Sequence, residues 1–291
     1  MSKRKLGVLI AVTSAVLYGL MPLVTKTVYA SGSNQFTVAF LRMCIGSVIF
    51  YLLFRLTSGE QLGVTKKEFG QLCICALFYG FTPVLLYTSY NYLASGLATS
   101  LHFVYPVFVV LGSALFKIEK LTGRKIFCCV LCMAGIIAFY TPGGEISVTG
   151  ILIALASGLV YAGYGVYLAA SDLLEMNACK LSFWKHLLSM VIVGAVTLVC
   201  RRFVWPSGLN GWTFMLLLGL LTAAASFLYQ QATKFAGAQD TAMLSTFEPL
   251  TSVIVGCLVF SEKLTVRSVT GIVCILLSVI LLSIDQPKKS E

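Results

Sequence analysis

Polar residues in this chain are gathered into short islands, and the stretches between them are long and apolar. Ten apolar runs stand out, roughly 6–30, 34–55, 68–92, 95–116, 122–141, 147–171, 178–200, 210–235, 239–260 and 266–284. A helix needs about 20 mostly apolar residues to cross the hydrocarbon of a bilayer, and the runs are close to that length. Several are joined by little more than a turn, as at Ser31-Gly32-Ser33 and Ala94-Ser95-Gly96. The pattern predicts an all-α integral membrane protein of ten transmembrane helices, with no segment left over for a soluble catalytic domain.

Composition agrees with the pattern. Of 291 residues, 58% are hydrophobic and 11% charged, whereas a soluble domain carries about 25% charge. So few charges cannot coat a water-soluble surface, and the bilayer must take the place of water. The net charge of +10 raises the possibility of a nucleic-acid partner. The cations, however, sit in short clusters between apolar runs and form no basic stripe with interleaved aromatics. No nucleic acid is expected, and the lipid bilayer is the expected partner. The N-terminal Lys3-Arg4-Lys5 followed by apolar residues imitates a signal peptide, but the run to about Ala30 is longer than a signal sequence uses, so it reads as the first membrane helix.

Loop charges predict an orientation. In the first half, one set of loops holds Lys3, Arg4, Lys5, Arg55, Lys66, Lys67, Lys117, Lys120, Arg124 and Lys125, and the opposite loops hold none. By the positive-inside rule both termini face the cytoplasm and Gly143 lies outside. In the second half Arg201, Arg202, Lys263 and Arg267 fall on the outer side.

A shift of 143 residues lays the chain on itself. Glu119-Lys120-Leu121-Thr122-x-Arg124 falls on Glu262-Lys263-Leu264-Thr265-x-Arg267, Pro106 on Pro249 and Leu101 on Leu244. At the other end of the unit Gly7, Leu9, Ile10, Ala11, Ser14 and Tyr18 fall on Gly150, Leu152, Ile153, Ala154, Ser157 and Tyr161. The units are residues 1–145 and 146–291, each with five helices. An odd number of helices turns the second unit upside down, which gives the inverted repeats of secondary transporters with a site between them near the midplane.

These residues resemble the drug/metabolite transporter superfamily in its ten-helix EamA-type branch. The resemblance is carried by Pro106…Glu119-Lys120-Leu121-Thr122, its copy Glu248-Pro249…Glu262-Lys263-Leu264-Thr265, and an arginine within helix 2, Arg42. It implies a five-plus-five inverted fold whose central cavity is lined by helices 1–4 and 6–9, with helices 5 and 10 peripheral. It implies transport of small molecules without naming the cargo.

Ionisable groups deep in a membrane cost several kcal/mol and mark functional sites. Arg42, Lys185, Glu248, His102 and His186 lie well inside predicted spans. Lys26 is near the end of helix 1 and can snorkel to the interface. Arg42 and Lys185 differ by 143 and so occupy equivalent places on helices 2 and 7, where each either meets an anionic group of a cargo or pairs with helix carbonyls or an acid. Glu248, before Pro249, is either a coupling-proton site or half of an ion pair with Lys185 or Arg42. Its equivalent is Tyr105, one turn from His102; that histidine either shares the cavity face or packs in the helix bundle, and His186 reads as packing against a neighbour. Polar stripes at helical spacing add Thr241, Ser245, Glu248 and Ser252 on helix 9, and Thr222, Ser226, Tyr229 and Thr233 on helix 8. Tyr79 and Tyr90 are repeat partners of the latter, and Tyr18, Tyr161 and Tyr164 line helices 1 and 6. Each stripe also has a structural meaning, since Ser and Thr bond helix backbones.

Other chemistry finds little support. Cys128, Cys129 and Cys132 have no histidine or acid at ligand spacing, so no metal site and no cofactor are expected, and there is no Walker loop or H-E-x-x-H. The expectation is a secondary transporter rather than an enzyme, with an amino acid or other carboxylate-bearing compound as cargo. Phosphorylated or cationic aromatic compounds, or a non-transporting sensor, are the rivals. Two fused halves remove the need to dimerise, so a monomer or weak dimer is expected.

Overall fold

The structure is a computed structural model that describes residues 3–89, 92, 98, 101–118, 120–138, 147–248, 250–251, 254 and 266–284. Among these residues the regular structure is helical throughout. In chain order the helices are α1 (Lys3–Ala30), α2 (Gln35–Thr57), α3 (Lys66–Ser89), α4 (Tyr105–Leu115), α5 (Gly123–Ala138), α6 (Val148–Ala170), α7 (Ala178–Val199), α8 (Gly208–Ala236), α9 (Ala238–Leu244) and α10 (Val266–Ile284). A short 3₁₀ turn, Asp172–Glu175, links α6 to α7. By length and composition six of them, α1, α2, α3, α6, α7 and α8, can each cross a membrane.

Helix starts are set by local chemistry. The Asn34 side chain accepts from Thr37 N at 3.0 Å to open α2, and Asn177 accepts from Cys179 N at 3.0 Å to open α7. Thr65 and Glu68 form a reciprocal capping box at α3: Thr65 N donates to Glu68 Oε2 at 2.6 Å and Glu68 N donates to Thr65 Oγ1 at 3.2 Å. Each cap satisfies backbone N–H groups that the first turn leaves open, a contribution of about 1 kcal/mol. Large apolar side chains such as Leu56, Leu115, Val199 and Leu209 point outward, as a lipid-facing surface requires.

Packing obeys the repeat. α1 packs along α8 and its equivalent α6 along α3; α2 meets α8 as α7 meets α3. Pairs that the symmetry maps onto themselves also touch: α2 with α7, α4 with α9, α5 with α10. Equivalent helices run in opposite directions. Phe40 of α2 lies against Gly194 of α7 while Gly46 lies against His186, and Arg124 of α5 donates to the Leu281 carbonyl while Ser278 of α10 donates to the Cys128 carbonyl. Among the described residues the helices of one half pack mainly against those of the other, so the two five-helix sets interleave.

Both fourth helices are interrupted. The expected runs 95–116 and 239–260 each contain a turn, at 103–104 and 245–246. Pro106 lies in the first turn of α4, and having no N–H it cannot bond the carbonyl of His102. Loop contacts close one end of the bundle, where Ser207 N donates to Ser31 O at 3.0 Å and Val204 N to Thr37 Oγ1 at 2.8 Å. The other end carries ion pairs. Arg4 donates to Asp240 Oδ2 at 2.9 Å. Lys67 donates to Asp172 Oδ2 at 2.7 Å, and that bond holds the Asp172 carboxyl below its usual range.

Candidate functional site

The centre of the bundle is a cluster of phenols and charges supplied by helices of both halves. Tyr79 of α3 is its hub. Its hydroxyl lies 3.4 Å from His186 Nε2 and interacts electrostatically with the Arg42 guanidinium of α2, Tyr18 of α1 and Ser226 of α8. Its ring lies under Lys185 of α7, with Nζ 4.5 Å from the centroid. A cation over an aromatic face is stabilised by roughly 1–2 kcal/mol when shielded from water. One tyrosine thus holds both symmetry-related cations. Arg42 and Lys185 each sit about 10 Å in from the start of their helix, by the rise per residue, and those starts lie at opposite ends of the bundle.

The two cations have matched partners. Arg42 Nη2 donates to Met21 Sδ at 3.9 Å, and Lys185 Nζ donates to Tyr164 Oη at 3.1 Å; Met21 and Tyr164 are equivalents under the 143-residue shift. Arg42 Nη1 also donates to Tyr87 Oη at 2.9 Å, while its Nε–H is buried with no hydrogen-bond partner among the described residues.

A wall of rings continues from Tyr79. Tyr79 and Tyr164 have centroids 5.2 Å apart, Tyr164 and Tyr161 5.9 Å, Tyr161 and Tyr229 5.6 Å, and Tyr105 meets Tyr161 edge-on at 4.7 Å. The Tyr229 hydroxyl lies over Gly165, buried and without a hydrogen-bond partner among the described residues. A buried phenol is ordinarily paired, so this wall offers polar atoms to a guest.

The histidines behave differently from one another. His102 Nδ1 is 2.9 Å from Ser157 Oγ, whose proton goes to the Ala154 carbonyl at 2.6 Å, so the imidazole is the donor. Its ring packs between Phe103, Tyr105 and Tyr161. Its backbone carbonyl approaches α6 so closely that a side-chain carbon at Gly158 would lie 2.7 Å from it. His186 packs against Gly46 and Phe50, as the sequence suggested, but its Nε2 also reaches the cluster, 3.4 Å from Tyr79 Oη and 3.3 Å from Ser226 Oγ.

Glu248 is half-buried just after the turn in helix 9. Its N–H donates to Ser245 O at 2.9 Å, which occupies the carbonyl that Pro249 could not bond. The cation that acts on its carboxyl group is Arg42, and it also influences Tyr18, Tyr105 and Tyr161. Ser245 donates to the Thr241 carbonyl at 2.9 Å and lies beside the Tyr105 hydroxyl. The structure therefore brings together Arg42, Lys185, Glu248, His102, Tyr105, Tyr18, Tyr79, Tyr161, Tyr164, Ser226, Tyr229 and Ser245. Tyr90, Pro249, Ser252, Gly143, Glu119 of the first Glu-Lys-Leu-Thr motif, the whole of its second copy and the Lys26 side chain lie outside the described residues. Among the described residues no group of three or more His, Cys, Asp or Glu side chains is arranged to hold a metal ion.

Sequence reasoning missed Met21 and Tyr87 as partners of Arg42, the Nε2 face of His186, and Asp240. The last is buried in the first turn of α9 and binds Arg4, which had counted only as a topology signal.

Comparison with known proteins follows the same division of the chain. Residues 5–141 and 148–284 each match the EamA-like transporter family. An uncharacterized transporter of Synechocystis is 26% identical, covering 89% of this chain and 82% of its own. The pseudopaline exporter CntI of Pseudomonas aeruginosa is 24% identical over 96% of each chain. A solved crystal structure superposes with a TM-score of 0.82 at 17% identity, covering 96% of each chain, a likeness of fold.

Proposed function

The chain belongs to the EamA-like transporter family, and on that premise we propose that it is a secondary transporter that moves a small polar metabolite across the cytoplasmic membrane by alternating access. The cargo is a carboxylate-bearing compound, with an amino acid the best single candidate. The observation that carries this reading is the central cluster, in which Arg42 and Lys185, one from each half, meet at Tyr79 and Glu248 lies in the field of Arg42. A stable bundle has no need of three ionisable groups there, and each is costly unless it is used.

In this reading residues 1–145 and 146–291 act as the two repeats, and the cluster between them is exposed alternately to each side as they rock. The phenols of Tyr18, Tyr79, Tyr161, Tyr164 and Tyr229 supply polar contacts and ring faces, and His102 and Tyr105 shape the wall. Glu248 is the candidate for a coupling proton, because a carboxyl facing Arg42, Tyr18, Tyr105 and Tyr161 can exchange that proton for cargo. A relative named as an exporter of one metabolite supports a small organic cargo. No cofactor is required, and a monomer or weak dimer suffices.

Purified protein in proteoliposomes should show saturable counterflow of its cargo, found by screening radiolabelled amino acids and carboxylates. A linear, non-saturating flux would indicate a channel and end this reading. In Glu248→Gln the pH dependence of net uptake should flatten while counterflow persists. An unchanged pH profile in folded Glu248→Gln would remove the proton role.

A further inference from the structure

Arg42 and Lys185 are equivalent under the repeat, yet their electrostatic surroundings differ. Arg42 and Glu248 both sit against α1, Arg42 Nη2 on Met21 Sδ at 3.9 Å and the Glu248 backbone against Gly19; no ion pair within 4.0 Å joins them among the described residues, and the carboxyl lies in the field of Arg42. Lys185 is buried completely, and among the described residues its ammonium meets the Tyr164 hydroxyl and the faces of Tyr79 and Tyr164. The Cys75 thiol and the His186 imidazole are ionisable neighbours in its field, and no carboxylate lies within ion-pair distance of it among the described residues.

The repeat explains the difference. The shift that carries Arg42 to Lys185 carries Glu248 back to Tyr105, since 248 − 143 = 105. One half thus keeps an acid where the other has a phenol. Buried charges need a compensating partner or they weigh on the fold. The Arg42 half has an acid in its neighbourhood, and the Lys185 half carries a cation that meets, among the described residues, ring faces and a phenol oxygen.

Resting on the transporter reading, we propose that Lys185 alone is the seat for an anionic group of the cargo, and that Arg42 serves as the fixed counter-charge of Glu248. The seat takes a carboxylate or a phosphate, laid against the Tyr164 hydroxyl and the edge of Tyr79. A cargo whose only charge is positive is repelled there. Tyr79 links the two sites, its hydroxyl towards Arg42 and its ring towards Lys185, so an anion that draws on Lys185 also bears on the Arg42 side.

The test is a melting series on the purified full-length protein in detergent: wild type, Lys185→Gln, Lys185→Met, Arg42→Gln, Glu248→Gln and the Arg42→Gln/Glu248→Gln double variant. Without added ligand, both Lys185 variants should melt at or above wild type, because an uncompensated charge has been removed. Arg42→Gln and Glu248→Gln should each melt lower, and the double variant should recover much of the loss. Both Lys185 variants melting clearly below wild type, or failing to fold, would overturn the assignment, as would a double variant no better than its parents. The anion arm uses succinate, its neutral analogue succinamide, and inorganic phosphate. Succinate or phosphate should stabilise wild type and the double variant, with half-saturation about tenfold or more weaker in Lys185→Gln, as expected when a charge-assisted bond is lost. Which of the two acts identifies the anion. Equal stabilisation of wild type and Lys185→Gln would also overturn the proposal, and where no probe shifts the melt the ligand-free series decides. Loss of counterflow with this melting pattern intact would count against transport and leave the charge assignment standing.

Discussion

Nδ1 of His186 lies 2.8 Å from the Ser182 carbonyl, four residues back on α7. A carbonyl can only accept, so the proton is on Nδ1, and Nε2 is left to accept from Tyr79, since Ser226 gives its proton to the Ala223 carbonyl. The ring is pinned at both nitrogens and its Cδ2 faces Gly46, where an added Cβ would stand 2.4 Å away. Gly46→Ala sets two effects against each other. Alanine improves helix propensity by up to ~1 kcal/mol, while overpacking a core costs ~1–3 kcal/mol. A pinned ring cannot swing aside, so we expect a net loss of ~1–2 kcal/mol in thermal unfolding. In a His186→Ala background the same substitution should become neutral or stabilising, and a loss of the same size there would show that the imidazole is not the obstacle. At this scale the sequence disclosed which residues carry charge deep in a span, because a lone Arg42 or Lys185 among apolar neighbours is conspicuous. It did not disclose their partners. Met21 and Tyr87 reach Arg42 from α1 and α3, and the facing of separate helices leaves no mark in linear spacing. Asp240, at the start of the ninth run, drew no notice for a related reason: nothing in the sequence says that α1 brings Arg4 to it.

Hydrophobic runs disclosed the helices well where one helix fills one run. α2 and α7 begin where expected, and their Asn34 and Asn177 caps are of the residue type that starts helices. The Thr65–Glu68 capping box was equally readable and lies just ahead of the predicted start of the third run. The fourth and ninth runs were read as unbroken because hydropathy cannot see a turn made of Phe103 and Val104. The proline signal was present in both copies, and it puts the break within a turn of Pro106 and Pro249 by removing an N–H from the ladder. The interruptions put Tyr105 and Glu248, a phenol and an acid at equivalent positions, beside turns instead of in mid-helix. Discontinuous helices are where transporters of inverted design place their sites, and here the Glu248 N–H is already engaged by Ser245 O, so the carboxyl is the group free to interact with Arg42.

At the scale of the molecule the 143-residue shift was the most informative property of the chain, since it foretold that equivalent helices run antiparallel, while which helices pair across the bundle emerged only in the fold. Orientation rests on loop charge alone and has a direct test. Cys200 is exposed at the end of α7, next to Arg201 and Arg202, on the side assigned to the exterior. A membrane-impermeant maleimide should modify it in intact cells, with Cys200→Ser as the blank. Labelling seen only in inverted vesicles would reverse the topology. The interleaving of the halves has a consequence for biogenesis. Each half finds few of its contacts within itself, so the first five helices, once inserted, have lipid where their partners belong until translation delivers α6 to α10. During that interval the Arg42 helix has neither α7 nor α8 beside it, and quality-control proteases meet an unfinished surface. Residues 1–145 and 146–291 produced as two polypeptides should therefore assemble when made together and be degraded when made singly. Pulse-chase lifetimes of each fragment, with and without the other, report this, and a long-lived solitary first half would mean that it folds unaided.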